Sequence, residues 1–522
     1  MTTVTLRPGH GTAGRHPTRL FLDSLSGNDD PGMFGRMFPR LNPLAADDAP
    51  LKELAAAMVD AAPGDPAGNN DKVPAGFTYF GQFVDHDITL DLTSIGDKEE
   101  DPDATENFRT PALDLDSIYG LGPDGSRQLY ARNAGDGNSG KTPGPKFLIG
   151  RTISVGPGAI PGEPRNDLPR SPEGFALIGD HRNDENLVVA QTHVAFLKFH
   201  NKVCDTLSGG GMPAETVFKE ARRIVTWHYQ WLVLHDFVER ITEPGIVARI
   251  LDQGRQFYRF KKFPFIPIEF SAAAYRFGHS MVREAYSHNK VFTFGSTPPA
   301  VTPATLGLLF QFTGLSGGIV GELAPNPPTP PTPIPVLSNN WIIDWRRYYD
   351  FRPGSANPAN VPLNLSRKID PFLVQTLHQL PGGGGDLAFR NLRRGVMLGL
   401  PSGQDVAAAM HIANPLSPDE IASGPDGAIA KKHNLHTRTP LWYYILKEAQ
   451  VRGHGLRLGP VGTTIVAEVL VGLIHGDHDS FLWIKGKDWK PELPSAVKST
   501  FTMADLLRFV GDISPLDGVT TA

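Results

Sequence analysis

The sequence predicts a mainly α-helical protein with long irregular loops and little β-structure. Three observations carry that expectation. Segments with apolar residues at i, i+3 and i+4 recur along the chain, strand-like alternation is sparse, and 55 glycines and 47 prolines among 522 residues demand many turns and loops. A composition that is 40% hydrophobic and 20% charged is that of a globular chain with a sizeable core.

Taken in order, residues 1–75 are rich in Gly, Pro, Asp and Asn, with helical periodicity only at 51–61, and read as an N-terminal arm wrapping a core. Residues 76–522 then form one large body. Helical patterns cover 185–207, 214–242, 271–287, 386–398, 441–452 and 462–474. The segment at 214 begins after Pro213, and the one at 271 has Ser271 available as an N-cap. The proline-dense stretch 324–335 must be extended and reads as a surface excursion within one body.

Function classes narrow by charge and cysteine count. Fifty Lys and Arg against 55 Asp and Glu leave a net charge of −5, which argues against a nucleic-acid partner or a polybasic membrane anchor. One cysteine, Cys204, excludes an intramolecular disulfide framework and reads as a buried, inert thiol. The apolar run 464–474 contains Glu468 and is about half the ~20 residues of a spanning helix, so no transmembrane segment is expected. The first twenty residues lack an apolar core, so no Sec signal peptide is expected, leaving the cytoplasm or export by a signal-independent route.

The chemistry concentrates in a few stretches. In Gly81-Gln82-Phe83-Val84-Asp85-His86-Asp87, a helix places Gln82 and His86 on one face with Asp85 beside them, while Asp87 points elsewhere. Thr110, Ala112 (through its carbonyl), Asp114 and Asp116 offer oxygens at alternate positions. With Asp87 they make a set that suits Ca²⁺ better than zinc. The run His475-Gly476-Asp477-His478-Asp479 looks like a metal cluster but follows a helix and reads as its C-terminal turn. His193 and His200 read as packed or hydrogen-bonded helix residues.

Four stretches in order, GQFVDHD, LDLDSIYG, Gly179-Asp180-His181-Arg182-Asn183-Asp184-Glu185-Asn186 and Tyr275-Arg276-Phe277-Gly278-His279-Ser280, resemble the animal-type haem peroxidase superfamily, specifically its bacterial members. The resemblance runs from about Phe77 to about Leu482. It implies a single helical haem-peroxidase domain holding haem b. Its activity would be reduction of hydrogen peroxide through a ferryl (compound I) intermediate, with oxidation of small phenols, amines or halides.

Residue by residue, the resemblance makes His86 the distal histidine, Arg182 the distal arginine and Gln82 the residue that bonds distal water or a halide. It makes His279 the proximal iron ligand and Asn391 the acceptor of that ligand's second ring proton. Arg276 would pair with a haem propionate, and Asp85 and Glu185 would be candidates for one or two ester links to haem methyl groups. Asn186 stands where mammalian members carry a methionine, so a third, sulfonium link cannot form. The family's calcium loop coincides with Asp87, Thr110, Ala112, Asp114 and Asp116.

Two other function classes compete with this one. Fatty-acid dioxygenases of the cyclooxygenase-like branch carry a radical-forming tyrosine three residues before the proximal histidine, where this chain has Arg276. A non-catalytic structural protein with a peroxidase-like body would have no need of His86, Arg182 and His279 together. Composition and motifs leave oligomeric state open.

Overall fold

The computed structural model describes residue 32, residues 34–90, 107–132, 142–295, 297–311, 313, 336–353, 361–380 and 384–520. The proline-dense 324–335 lies outside the described residues. Among the described residues the chain is mainly helical, and its strands form four two-stranded pairs. One of them joins Asn69–Pro74 antiparallel to Leu365–Arg367, with Asn69 opposite Arg367. Another lays Phe34–Gly35 parallel to Ile266–Pro267.

Helix α1 spans Asp48–Ala57 and buries Leu51, Leu54 and Ala55. Helix α2, Gly76–Ile88, is the one that carries Gln82, Asp85, His86 and Asp87. Helix α3, Leu187–Gly209, is capped by Asn186, whose side chain accepts from the Val188 N–H. The predicted helix 214–242 is three pieces. Helix α4, Ala214–Trp231, runs into a π-helical turn at Leu232–Val238 and a last turn at Glu239–Ile241. Wider turns of this kind cluster at functional sites, and this one turns Phe237 onto α2, where a Cβ on Gly81 would lie 2.8 Å from the Phe237 ring.

The predicted helix 271–287 is corrected. Its first residues close a short helix, Ile268–Ser271, that starts after Pro267; a 3₁₀ segment follows at Ala274–Met281 and a strand at Ala285–Tyr286. Ser271 is therefore a helix end and not an N-cap. The break falls at Ala273, whose φ of −134° and ψ of −75° are not helical. Helices α5, Leu387–Met397, α6, Leu441–Arg452, and α7, Pro460–Gly476, fall where periodicity places them.

Nearly all buried apolar side chains join one connected core. Around α2 the core is aromatic. Phe83 stacks on Phe196 of α3 at 5.0 Å between ring centroids, and Phe80 meets Tyr229 of α4 edge-on at 6.3 Å. This packing fixes α2 in place and rotation, and so fixes which way His86 points.

One buried carboxylate caps a helix from its neighbour. Helix α7 has no side-chain cap of its own, and Glu448 of α6 accepts from the N–H groups of Val461 and Gly462 at 2.9 and 3.4 Å. Burial outweighs those bonds and pushes the Glu448 carboxyl up to about 8. A raised acid contributes stability that is full below its unfolded pKa and is lost as pH rises through the folded one. Glu448→Gln should therefore abolish a loss of about 3 kcal/mol that the wild type suffers between pH 5 and pH 8. Denaturant unfolding at both pH values checks this, and parallel wild-type and variant curves would refute it.

Candidate active site

A cavity of about 490 Å³ takes its walls from α2, the His181–Asp184 turn, the 274–281 segment, the π-turn and α5. Gln82, Asp85, His86, Arg182, Glu185, Arg276 and His279 all line it. The helix at 76–88 splits its polar residues as the spacing predicts. Gln82, Asp85 and His86 face the cavity, and Asp87 turns to the acidic cluster described below.

His86 is 5% exposed, and burial, helped by the Arg182 cation, pushes it down to about 3. It is therefore a neutral imidazole at working pH. Its Nδ1 lies 2.9 Å from Asn183 Oδ1, and the Asn183 amide nitrogen lies 3.0 Å from His193 Nδ1. With the oxygen toward His86, Nδ1 carries the proton and Nε2 keeps its lone pair.

Arg182 sits on the 3₁₀ turn His181–Asp184, which Asp180 caps by accepting from the Arg182 N–H. The same carboxylate accepts from Arg182 Nε at 3.1 Å and Nη2 at 2.8 Å. Nη2 also donates to the carbonyls of His86 and Thr89 at the end of α2. The guanidinium is thus held rigidly to the backbone of the histidine it accompanies. Asp180 in turn accepts from Arg109, which is wholly buried and donates to Asp116 at 3.2 Å.

Across the 274–281 segment the tight 3₁₀ pitch stacks Arg276 over His279, because residues three apart eclipse. Asn391 of α5 lies between them. Its Nδ2 is 2.8 Å from His279 Nδ1, and its Oδ1 accepts from Arg276 Nη1 at 2.7 Å. The expected partner is therefore present, but in this structure the amide nitrogen faces the ring, not the oxygen. Burial and the nearby Arg276 and Arg390 charges push His279 down to about 3. Tyr275, next to Arg276, is pinned by its hydroxyl, which donates to the Gly81 carbonyl at 3.2 Å.

Asp87, Asp114 and Asp116 are the one group of three His, Cys, Asp or Glu side chains that converges among the described residues, with oxygens within 4.8 Å of one another. All three are buried. Leu115 between them holds a left-handed backbone, φ 58°, which brings the N–H groups of Leu115 and Ser117 onto Asp87 at 3.2 and 3.4 Å. Thr110 donates to Asp116 at 3.3 Å, and Ala112 is buried in the same loop. Burial and mutual repulsion push Asp87 up to about 7 and raise Asp114 as well.

A family model described as animal haem peroxidase matches residues 91–300. The chain is 28% identical over 197 residues to a peroxidase-like protein of Margaritifera margaritifera, covering 35% of this chain and 23% of that one. Its fold matches peroxidase A of Dictyostelium discoideum with a TM-score of 0.59 at 15% identity, covering 93% of this chain and 94% of that one. It also matches the fatty acid alpha-dioxygenase of Oryza sativa, with a TM-score of 0.57 at 14% identity, covering 86% and 76%. Residues 91–300 thus carry the animal haem peroxidase match, and the fold over most of the chain is that of these peroxidase and dioxygenase structures. The chain spans about a fifth to a quarter of the length of the first curated relatives it matches.

The matched family implies haem, and the residues that line the cavity fit that group. Two neutral imidazoles line it, and so do Arg276, Arg390 and Arg394, cations that a cofactor with two carboxylate arms needs. Thr78 Oγ1, in its wall, is buried without a hydrogen-bond partner. Outside the cavity, Cys204 is buried with its thiol pushed up to about 12, as an inert residue should be. His200 bridges Tyr119 Oη at 3.0 Å and the Pro145 carbonyl at 2.8 Å. Helix α7 ends at Gly476, so the 475–479 run is the end of that helix and the turn that follows it. Sequence reasoning missed Asn183, Asp180 and Arg109 as site residues. The first two stand inside the quoted 179–186 stretch, but Arg109 carries no local signal at all.

Proposed function

We propose that the chain is a haem peroxidase that reduces hydrogen peroxide and oxidises small phenols, amines or halides. The observation that carries this reading is one cavity lined by a neutral histidine with a free Nε2, a clamped arginine and a second histidine tied to an asparagine. Haem held through His279, with its propionates on Arg276, Arg390 and Arg394, would supply the redox chemistry. His86 Nε2 takes a proton from peroxide held in the cavity and returns it to the departing oxygen. Arg182 stabilises the charge that builds on that oxygen, and its fixed position costs no reorganisation. The Gln82 amide donates to water or a halide.

Asp85 and Glu185 stand at the cavity wall, which supports ester links to the haem. The dioxygenase reading is weaker because Arg276 occupies the place three before His279, and Tyr275 is tied to the Gly81 carbonyl. The Asp87, Asp114 and Asp116 cluster with Thr110 and Ala112 is proposed as a Ca²⁺ site, since hard oxygen donors dominate it. Among the described residues no helix is long and apolar enough to cross a membrane.

The test is to express the chain with haem supplied, add hydrogen peroxide and follow the Soret band, then extract with acidified butanone. The expected result is a band that shifts with peroxide and haem that stays with the protein. Folded protein that takes up no haem would overturn the reading, and extractable haem would overturn only the ester links.

A further inference from the structure

Three buried tyrosines lead away from the cavity in file. Tyr79 of α2 stands in the cavity wall, and its ring meets that of Tyr286 at 5.7 Å between centroids. Tyr286, on the short strand Ala285–Tyr286, stacks in turn on Tyr348 at 5.9 Å and 23°. All three are at most 2% exposed. The Gly76 N–H at the start of α2 donates to the Tyr348 carbonyl at 2.9 Å, so both ends of the file are tied to one helix. The file ends on a base. His288 Nε2 lies 2.9 Å from the Trp341 carbonyl, which can only accept, so Nε2 carries the ring proton. Burial pushes His288 down to about 4, so the ring is neutral and its Nδ1 accepts from the Tyr348 hydroxyl at 3.0 Å. An unpaired charge in the core is costly, so a buried phenol gives up an electron readily only where its proton has a place to go. Phenylalanine would fill the same space without a hydroxyl to satisfy.

We infer that Tyr348 is a redox-active residue that takes an oxidising equivalent out of the cavity when no small reductant arrives there. This rests on the haem reading above, with hydrogen peroxide as the oxidant. One electron passes from Tyr348 through Tyr286 and Tyr79 to haem that peroxide has oxidised. The Tyr348 O–H bond breaks and its proton goes to His288 Nδ1, which leaves a neutral phenoxyl radical beside an imidazolium. A phenol or amine that enters the cavity reverses the step, supplying the electron while the proton returns from His288. Tyr119 and His200 form a second pair of the same kind, with Tyr119 Oη 3.0 Å from His200 Nδ1 and His200 Nε2 2.8 Å from the Pro145 carbonyl. Phe147 and Phe218, which pack on the Tyr119 ring, do not line the cavity, so this pair stands outside the relay and serves as its control.

The test mixes the haem-loaded full chain with hydrogen peroxide in the absence of any reductant, freezes it and reads the electron paramagnetic resonance spectrum. Wild type should give an organic radical whose signal narrows when the protein is made with ring-deuterated tyrosine. Tyr348→Phe and Tyr286→Phe should each lose that signal, the first because the donor is gone and the second because the relay is cut. His288→Gln should lose it too, because an amide is not a base. Tyr119→Phe should keep it. Before haem is added, nuclear magnetic resonance of the chain with ¹⁵N-labelled histidine should show His288 protonated at Nε2. A wild type without a tyrosine radical overturns the relay, as does a tyrosine signal that Tyr348→Phe retains or a His288 protonated at Nδ1. If the variants do not fold, the wild-type radical and the His288 tautomer decide the matter. Folded protein that takes up no haem would instead defeat the haem reading on which the relay rests.

Discussion

His86→Ala is expected to slow the reaction with hydrogen peroxide by about 100- to 10,000-fold while haem stays bound. The size follows from the loss of a neutral imidazole base from α2. Arg182 lies beside His86 but cannot accept a proton, and Gln82 is not a base. Because the imidazole is held down to about 3, wild-type His86 is neutral from pH 5 to pH 8, and its contribution should be flat across that range. Haem binding should survive because His279 and Arg276 stand on a different segment from α2. Asn183→Leu, which frees the His86 ring without deleting it, should cost less, about 10- to 100-fold. Stopped-flow spectra after mixing with peroxide measure both. A His86→Ala rate within threefold of wild type would remove His86 from the mechanism.

Much of this site could be read in the chain because its chemistry is local. Gln82, Asp85 and His86 share a helical face, and the period of α2 alone puts Asp87 on another. The long helices α3, α6 and α7 were equally legible, since each is continuous and ends near Gly, Asp or Arg. What could not be read is whatever depends on contacts distant in sequence. The segment 271–287 has helix-like spacing, yet tertiary packing breaks it at Ala273 and winds Ala274–Met281 into a 3₁₀ turn. The helix starting at Ala214 continues to Ile241 as predicted, but the π-turn that brings Phe237 to Gly81 leaves no mark in periodicity. Arg109 acquires meaning only because Asp116 and Asp180, seven and seventy-one residues away, fold onto it. The orientation of the Asn391 amide is set by Arg276, across 115 residues.

Stripping calcium from the proposed Asp87, Asp114 and Asp116 site is expected to destabilise the protein and disturb the cavity together. Three buried carboxylates whose oxygens lie within 4.8 Å repel one another unless a cation or protons neutralise them. A site at 100 times its Kd would contribute about 2.7 kcal/mol, and that is lost with the metal. Without metal, Asp87 is raised to about 7, so protons partly replace the cation below pH 7 and cannot above it. An acid raised in the folded state gives up its stability as pH rises through that value, so the cost of chelation should be larger at pH 8 than at pH 6. The damage should reach the cavity by two routes. Asp87 is adjacent to His86 on α2, and Arg109 ties Asp116 to Asp180, which clamps Arg182. Calorimetry of the haem-loaded chain with and without a strong chelator at pH 6 and pH 8, read beside the Soret spectrum, measures all of this. A melting temperature and spectrum that stay unchanged after the metal is shown to be gone would sever the cluster from the cavity, and an equal loss at both pH values would show that the carboxylates are not what the cation neutralises.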